Sequence, residues 1–124
     1  MTRKYGVLLV SHVSKIVDGL SLLLNEVARD VSITTAGGTD DDGIGSSFDK
    51  IQAAVNANKA EEILAFYDLG SSKMNLEMVK EVSEKPITIF DTAFIESAYT
   101  ASALLQAGVS IDEVKKQLEP LKIK

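Results

Sequence analysis

The 124 residues contain one histidine, His12, and it stands where an apolar strand gives out. Tyr5-Gly6-Val7-Leu8-Leu9-Val10 is a continuous run of strand length, and Ser11-His12-Val13-Ser14 follows it. A neutral imidazole has one ring nitrogen free to attack and one that must be held by a hydrogen-bond acceptor. Asp68 closes a second apolar run, Ile63-Leu64-Ala65-Phe66-Tyr67, and supplies that acceptor if the two strands are neighbours. A carboxylate holding Nδ1–H fixes the tautomer, exposes Nε2 and stabilises the positive charge that develops on attack. A turn histidine satisfied only by backbone is the bland alternative, and residue identity alone does not separate the two. The strand-end position favours chemistry.

Two further stretches carry donors. Gly70-Ser71-Ser72 precedes a helical pattern, and free N–H groups at a helix start, with serine hydroxyls beside them, make an anion site. Serine as a plain N-cap explains Ser71 or Ser72 without any ligand. Gly37-Gly38-Thr39 has the same double reading: the Gly38 and Thr39 region offers backbone donors to a phosphate, or is simply a turn. Each signal is weak alone. Their convergence on one histidine points to phosphoryl chemistry, in which positioning and electrostatic stabilisation of the moving group do most of the work.

Absences narrow the choice. No Gly-rich loop ends in Lys-Ser/Thr, so ATP binding of the P-loop kind is unsupported, and no GxGxxG follows the first strand. With one histidine and no cysteine, disulfides, thiol nucleophiles and His/Cys zinc sites are excluded, and no metal is expected. Asp40-Asp41-Asp42 lacks cation-ligand spacing and reads as a solvated loop. Net charge is −5, which argues against nucleic acid, whose phosphates call for Lys and Arg. Met1-Thr2-Arg3-Lys4 is basic, but the apolar stretch after it is too short and strand-like for a signal peptide, and no window approaches transmembrane length. A cytoplasmic protein with no membrane contact is expected.

The elements that must position these residues alternate. Ile16, Leu20, Leu23, Leu24 and Val27 recur at helical spacing, predicting a helix over roughly 14–29 with Ser14 as its N-cap. Val31-Ser32-Ile33-Thr34-Thr35 reads as a strand, and the four-glycine loop 36–47 is long enough to suggest function. Phe48, Ile51 and Val55 mark a short helix capped by Ser46 or Ser47, and Asn56 to Lys59 a turn. Met74, Met78 and Val82 mark a helix ending before Pro86. Ile87-Thr88-Ile89-Phe90 is a fourth strand, a helix runs from about Ala93 to Ala107 with Gly108 at C′, and Ser110 with Glu113 opens a last helix. With 45% hydrophobic residues, the whole of 1–124 suits one domain. The pattern predicts an α/β fold: an open parallel sheet of about four strands, order 2-1-3-4, with helices on both faces. That order puts His12 and the turn after Asp68 on either side of the switch-point crevice, with the 37–45 loop flanking it.

The motifs Val7-Leu8-Leu9-Val10-Ser11-His12, Gly37-Gly38-Thr39-Asp40, Gly45-Ser46-Ser47 and Phe66-Tyr67-Asp68-Leu69-Gly70-Ser71-Ser72-Lys73-Met74-Asn75 resemble the mannose-type EIIA family over essentially the whole chain. The Asp-Leu-Gly-Ser-Ser-x-Met-Asn stretch favours the branch serving the phosphotransferase-system-dependent dihydroxyacetone kinase over the sugar-transporter EIIA proteins. The pattern departs from the family at Ser46-Ser47, where Gly-Thr-Ser is expected, and in the three-aspartate run. The resemblance implies a single EIIA-type phosphotransfer domain whose His12 is phosphorylated on Nε2 by the phosphocarrier HPr. It further implies that the phosphate passes to ADP held in the nucleotide-binding kinase subunit, which phosphorylates dihydroxyacetone on a third subunit. A transient phosphohistidine, no cofactor of its own, separate carrier proteins and a homodimer are implied as well.

Three alternatives stay open on the residues alone. One is a mannose-type EIIA feeding a sugar permease. Another is a receiver-like signalling module with Asp68 as phosphoacceptor, although that chemistry needs Mg²⁺-binding acids where Ser11-His12 stands. The third is a non-covalent binding domain in which His12 is only a ligand contact.

Overall fold

A computed structural model describes residues 3–124. Of the basic start of the chain, Met1 and Thr2 lie outside the described residues. Among the described residues there are four strands: β1 (Arg3–Ser11), β2 (Ile33–Gly37), β3 (Ala60–Tyr67) and β4 (Ile87–Phe90). Five helices join and follow them: α1 (Ser14–Val27), α2 (Phe48–Ala57), α3 (Gly70–Val82), α4 (Phe94–Gln106) and α5 (Ile111–Leu118). A 3₁₀ turn occupies Glu119–Leu121. The sheet order is β2-β1-β3-β4 and every pairing is parallel, the open doubly wound architecture expected.

Alternation along the central strands explains why both read as unbroken apolar runs. Leu8, Val10, Ile63, Ala65 and Tyr67 face one core cluster, with Ile51 and Val55 of α2 and Leu76 and Val79 of α3. Val7, Leu9, Leu64 and Phe66 face the other, with Val17, Leu20 and Leu24 of α1, Ala98 and Ala101 of α4 and Val114 and Leu118 of α5. A strand buried on both faces needs apolar residues at every position. Right-handed crossovers in this strand order require α1 on one face and α2 and α3 on the other, and the clusters sort them that way.

Several boundaries differ from the sequence reading. Strand β2 is displaced to Ile33–Gly37 because its register with β1 runs from Val7↔Ile33 to Ser11↔Gly37. Ala36 and Gly37 carry no strand propensity, so only the pairing reveals them. Ser14 is not the N-cap of α1; Val13 is, with no side-chain cap bond, and Ser14 is the first helical residue. Gly70-Ser71-Ser72 does not precede α3 but forms its first turn, with Leu69 in the cap position. Strand β3 begins at Ala60 rather than Ile63, taking in Ala60, Glu61 and Glu62, which the sequence pattern assigns to no element. Elsewhere local chemistry predicted well: the Ser47 hydroxyl caps α2 by accepting from the Lys50 amide, Ser110 accepts from Glu113, and Gly108 sits past α4 with φ +81°.

Candidate functional site

Strands β1 and β3 are hydrogen-bonded neighbours whose carboxyl ends finish together, Val10 opposite Tyr67. The next residues leave the sheet side by side, and the Asp68 amide still donates to Val10 O (3.2 Å). His12 therefore enters the turn before α1 facing Asp68 in the turn before α3.

The Asp68 carboxylate is the centre of the arrangement. Its Oδ1 lies 2.9 Å from His12 Nδ1 and accepts from the Leu69 amide at 2.7 Å. Its Oδ2 accepts from the Ser11 hydroxyl at 2.8 Å and the His12 amide at 3.1 Å. Burial pushes this carboxyl up, but the His12 amide and ring, the Ser11 hydroxyl and the Leu69 amide outweigh it and hold the pKa below 3.8. An ionised carboxylate only accepts, so in the neutral imidazole the proton sits on Nδ1. Nε2 then carries the lone pair and accepts from the Ser71 hydroxyl, which touches it from the first turn of α3. The two side chains are 15% and 14% exposed, so the pair is shielded, while the contact of Nε2 with Ser71, itself exposed, lies at the surface.

Of the other expected donors, Gly70 and Ser71 open α3, and among the described residues their amides have no acceptor, as the first N–H groups of a helix do not. Ser72 does not face outward: it is fully buried, and its hydroxyl donates to Leu69 O (2.8 Å) beside Asp68 Oδ1 (3.4 Å). It supports the carboxylate from behind. Gly38 and Thr39 do not offer free amides. The Gly38 amide donates to Ser11 O (3.0 Å) and the Thr39 amide to Gly43 O (3.1 Å), so the turn reading holds for their backbones. Their loop is nonetheless fastened to the site, since the Gly45 amide donates to His12 O (2.9 Å) and Asn75 of α3 donates to Ser46 (2.8 Å). The two ends of the aspartate run have partners: Asp40 accepts from Ser47, and Asp42 pairs with Lys50 of α2 at 2.5 Å.

A second cluster at the same sheet edge escaped sequence reasoning. Asp91, just past β4, accepts from the Tyr67 hydroxyl (2.5 Å) and pairs with Lys73 of α3 (2.8 Å). Burial pushes the Asp91 carboxyl up, and the Lys73 and Tyr67 hydrogen bonds bring it below the ordinary value. Burial and the Asp91 contact raise the Tyr67 phenol well above its usual range. The Phe66↔Phe90 pairing sets Tyr67 beside Asp91, a signal available once strand register is known. Lys124 completes the cluster from the far end of the sequence, and nothing local pointed to it.

A parallel sheet of order 2-1-3-4 with a carboxylate-held imidazole at its reversal defines a class of site, and the class has a family. The model of the EIIA-man family, the PTS system fructose IIA component, matches residues 6–115, and the chain belongs to that family. It is 47% identical over 119 residues to the phosphotransferase subunit DhaM of the PTS-dependent dihydroxyacetone kinase of Lactococcus lactis, covering 96% of this chain and 97% of that one. It is 42% identical over 124 residues, the full length of both, to the phosphoryl donor subunit DhaM of PEP-dependent dihydroxyacetone kinase 1 of Listeria innocua. Among solved structures, a protein of unknown function superposes with a TM-score of 0.85 at 26% identity, covering 98% of this chain and 97% of the other. A sigma-54 interaction domain protein from Enterococcus faecalis matches at 0.71 and 13% identity, covering 97% of this chain and 91% of that one, a likeness of fold alone.

Proposed function

We propose that this chain is a phosphoryl carrier of a PEP-dependent dihydroxyacetone kinase. His12 Nε2 takes phosphate from phosphorylated HPr and gives it to ADP bound in the nucleotide-binding kinase subunit. The observation that carries this reading is the line Asp68–His12–Ser71, which leaves the nucleophilic nitrogen at the surface beside a hydroxyl donor. The relatives named above are, by their names, a phosphotransferase subunit and a phosphoryl donor subunit of dihydroxyacetone kinases, and they match over nearly the whole length.

In the accepting step the Nε2 lone pair attacks phosphorus, the bond between phosphorus and the donor breaks, and its electron pair stays with the donor. The imidazole becomes positive, and the adjacent ionised Asp68 balances that charge through Nδ1–H. Ser71 turns its hydroxyl from Nε2 to a phosphoryl oxygen, and the Gly70 and Ser71 amides are available to the others. Ser72 contributes through Asp68, and Gly38 and Thr39 through the loop that borders the ring. In the donating step the P–Nε2 bond breaks toward the terminal oxygen of ADP and the neutral imidazole returns. The chain needs no nucleotide site and no metal for this, only a transient phosphohistidine. We place it in the cytoplasm as a homodimer; no helix of the described residues is long and apolar enough to cross a membrane. Asp68, with both oxygens engaged by donors, is a holder rather than a phosphoacceptor.

Reconstitution tests the acceptor. With phosphoenolpyruvate, Enzyme I, HPr and the two kinase subunits, adding this protein is expected to turn dihydroxyacetone into its phosphate. Phosphorylated protein with no product would remove the kinase reading and leave a sugar permease as acceptor.

A further inference from the structure

The last residues of the sequence cross the ends of β3 and β4 as a strap. Lys122 forms an antiparallel bridge with Thr92, and the amides of Ile123 and Lys124 both donate to Asp91 O (3.2 and 3.3 Å). The strap delivers the Lys124 ammonium onto two main-chain carbonyls, Tyr67 O and Asp68 O, each at 2.7 Å. The same ammonium lies 4.3 Å from the centroid of the Tyr67 ring, close enough for a cation–π contact. Tyr67 in turn is bound through its hydroxyl to Asp91, whose main chain holds the strap, so the connections close into a ring.

From this geometry we propose that Lys124 is a positioning residue for the His12–Asp68 pair. The inference rests on the carrier reading above. The Asp68 side chain is held by donors that all come from the β1 and α3 turns. Its own peptide carbonyl, just past the end of β3, has Lys124 as a partner from outside those turns. A carbonyl accepts a charged donor strongly, and one ammonium shared by Tyr67 O and Asp68 O ties together the two peptide planes that meet at the Asp68 Cα. Those planes set where the Asp68 Cβ points, and so where the carboxylate meets Nδ1. Burial lowers the Lys124 pKa, while Asp68 and Asp91 act to raise it, which marks its charge as desolvated among these groups.

Lys124→Met removes the charge and keeps the length, and Lys124→Arg keeps the charge. Two readouts are taken on each: kcat and KM for phosphate uptake from phosphorylated HPr, and the downfield proton resonance of His12 Nδ1–H. Lys124→Met is expected to lower kcat about tenfold at unchanged KM, since small misplacements of a catalytic group act on the chemical step. It should also broaden or abolish the Nδ1–H resonance, and Lys124→Arg should restore most of both. Circular dichroism checks that each variant is folded. Unchanged kcat and resonance in Lys124→Met would overturn the proposal. So would a rise in KM alone, which would make Lys124 a docking residue, or equal losses in the two variants. The resonance requires no phosphoryl donor, so it separates failure of this inference from failure of the carrier reading.

Discussion

At the scale of residues, the site turns one carboxylate into several instructions. Asp68 accepts from two amides, one hydroxyl and one ring nitrogen, and those donors keep it ionised despite its burial. Ionisation dictates the imidazole tautomer, the tautomer dictates which nitrogen is nucleophilic, and Ser71 marks that nitrogen's direction. Asp68→Ala removes both the tautomer holder and the countercharge, and is expected to slow phosphate uptake by roughly 10²- to 10⁴-fold. Rapid-quench kinetics with phosphorylated HPr measure this, and unchanged rates would reduce Asp68 to a turn residue. His12 and Asp68 were legible in the sequence because each follows an apolar run that only a central strand explains. The division of labour between Ser71 and Ser72 was not. Two adjacent serines in a helix's first turn point about 100° apart, and no pattern of letters says which faces the ring. Lys124 was beyond reach, since its partners are backbone carbonyls, which no side-chain motif announces.

At the scale of elements, the position of His12 depends on how closely α1 approaches the end of β2. A Cβ at Gly37 would lie 2.6 Å from Ser14 Cα and 2.7 Å from Val17 Cγ2, so only glycine lets the first turn of α1 settle there. The Gly37 carbonyl also accepts from Lys50 Nζ at 2.9 Å, which ties α2 to the same point. Gly37→Ala is expected to destabilise the protein by about 1–3 kcal/mol through overpacking against a backbone atom. Thermal unfolding reads this out, and an unchanged midpoint would mean that α1 shifts freely. Hydrophobic spacing marked α1, α2 and α3, but in α3 the stripe it used, Met74, Met78 and Val82, is exposed, and Leu76 and Val79 carry the buried face. Local reading misplaced the α1 cap by one residue, since Val13 holds it with no side-chain bond and Ser14 is already helical. It placed β2 two residues early because pairing with β1, rather than local propensity, decides where that strand ends.

At the scale of the whole molecule, the sheet order makes the site. Moving from β1 outward in one direction leads to β2 and in the other to β3, so the loops leaving β1 and β3 diverge toward opposite faces and leave a crevice between them. The two apolar clusters on either side hold that geometry, and alternation in β1 and β3 made both legible from the sequence. The Tyr67–Asp91–Lys73 contacts and the strap through Lys122 and Lys124 then close the outer edge, where β4 is short. Those contacts were invisible because nothing in the local pattern lays the residues after α5 across the ends of β3 and β4. A relay demands that one atom of this assembly carry the phosphate. Intact-mass measurement after incubation with phosphoenolpyruvate, Enzyme I and HPr tests that demand directly. The wild type is predicted to gain one acid-labile, alkali-stable phosphoryl group and His12→Ala, still folded, to gain none. A phosphorylated His12→Ala protein, or a wild type that never gains the mass, would contradict the account.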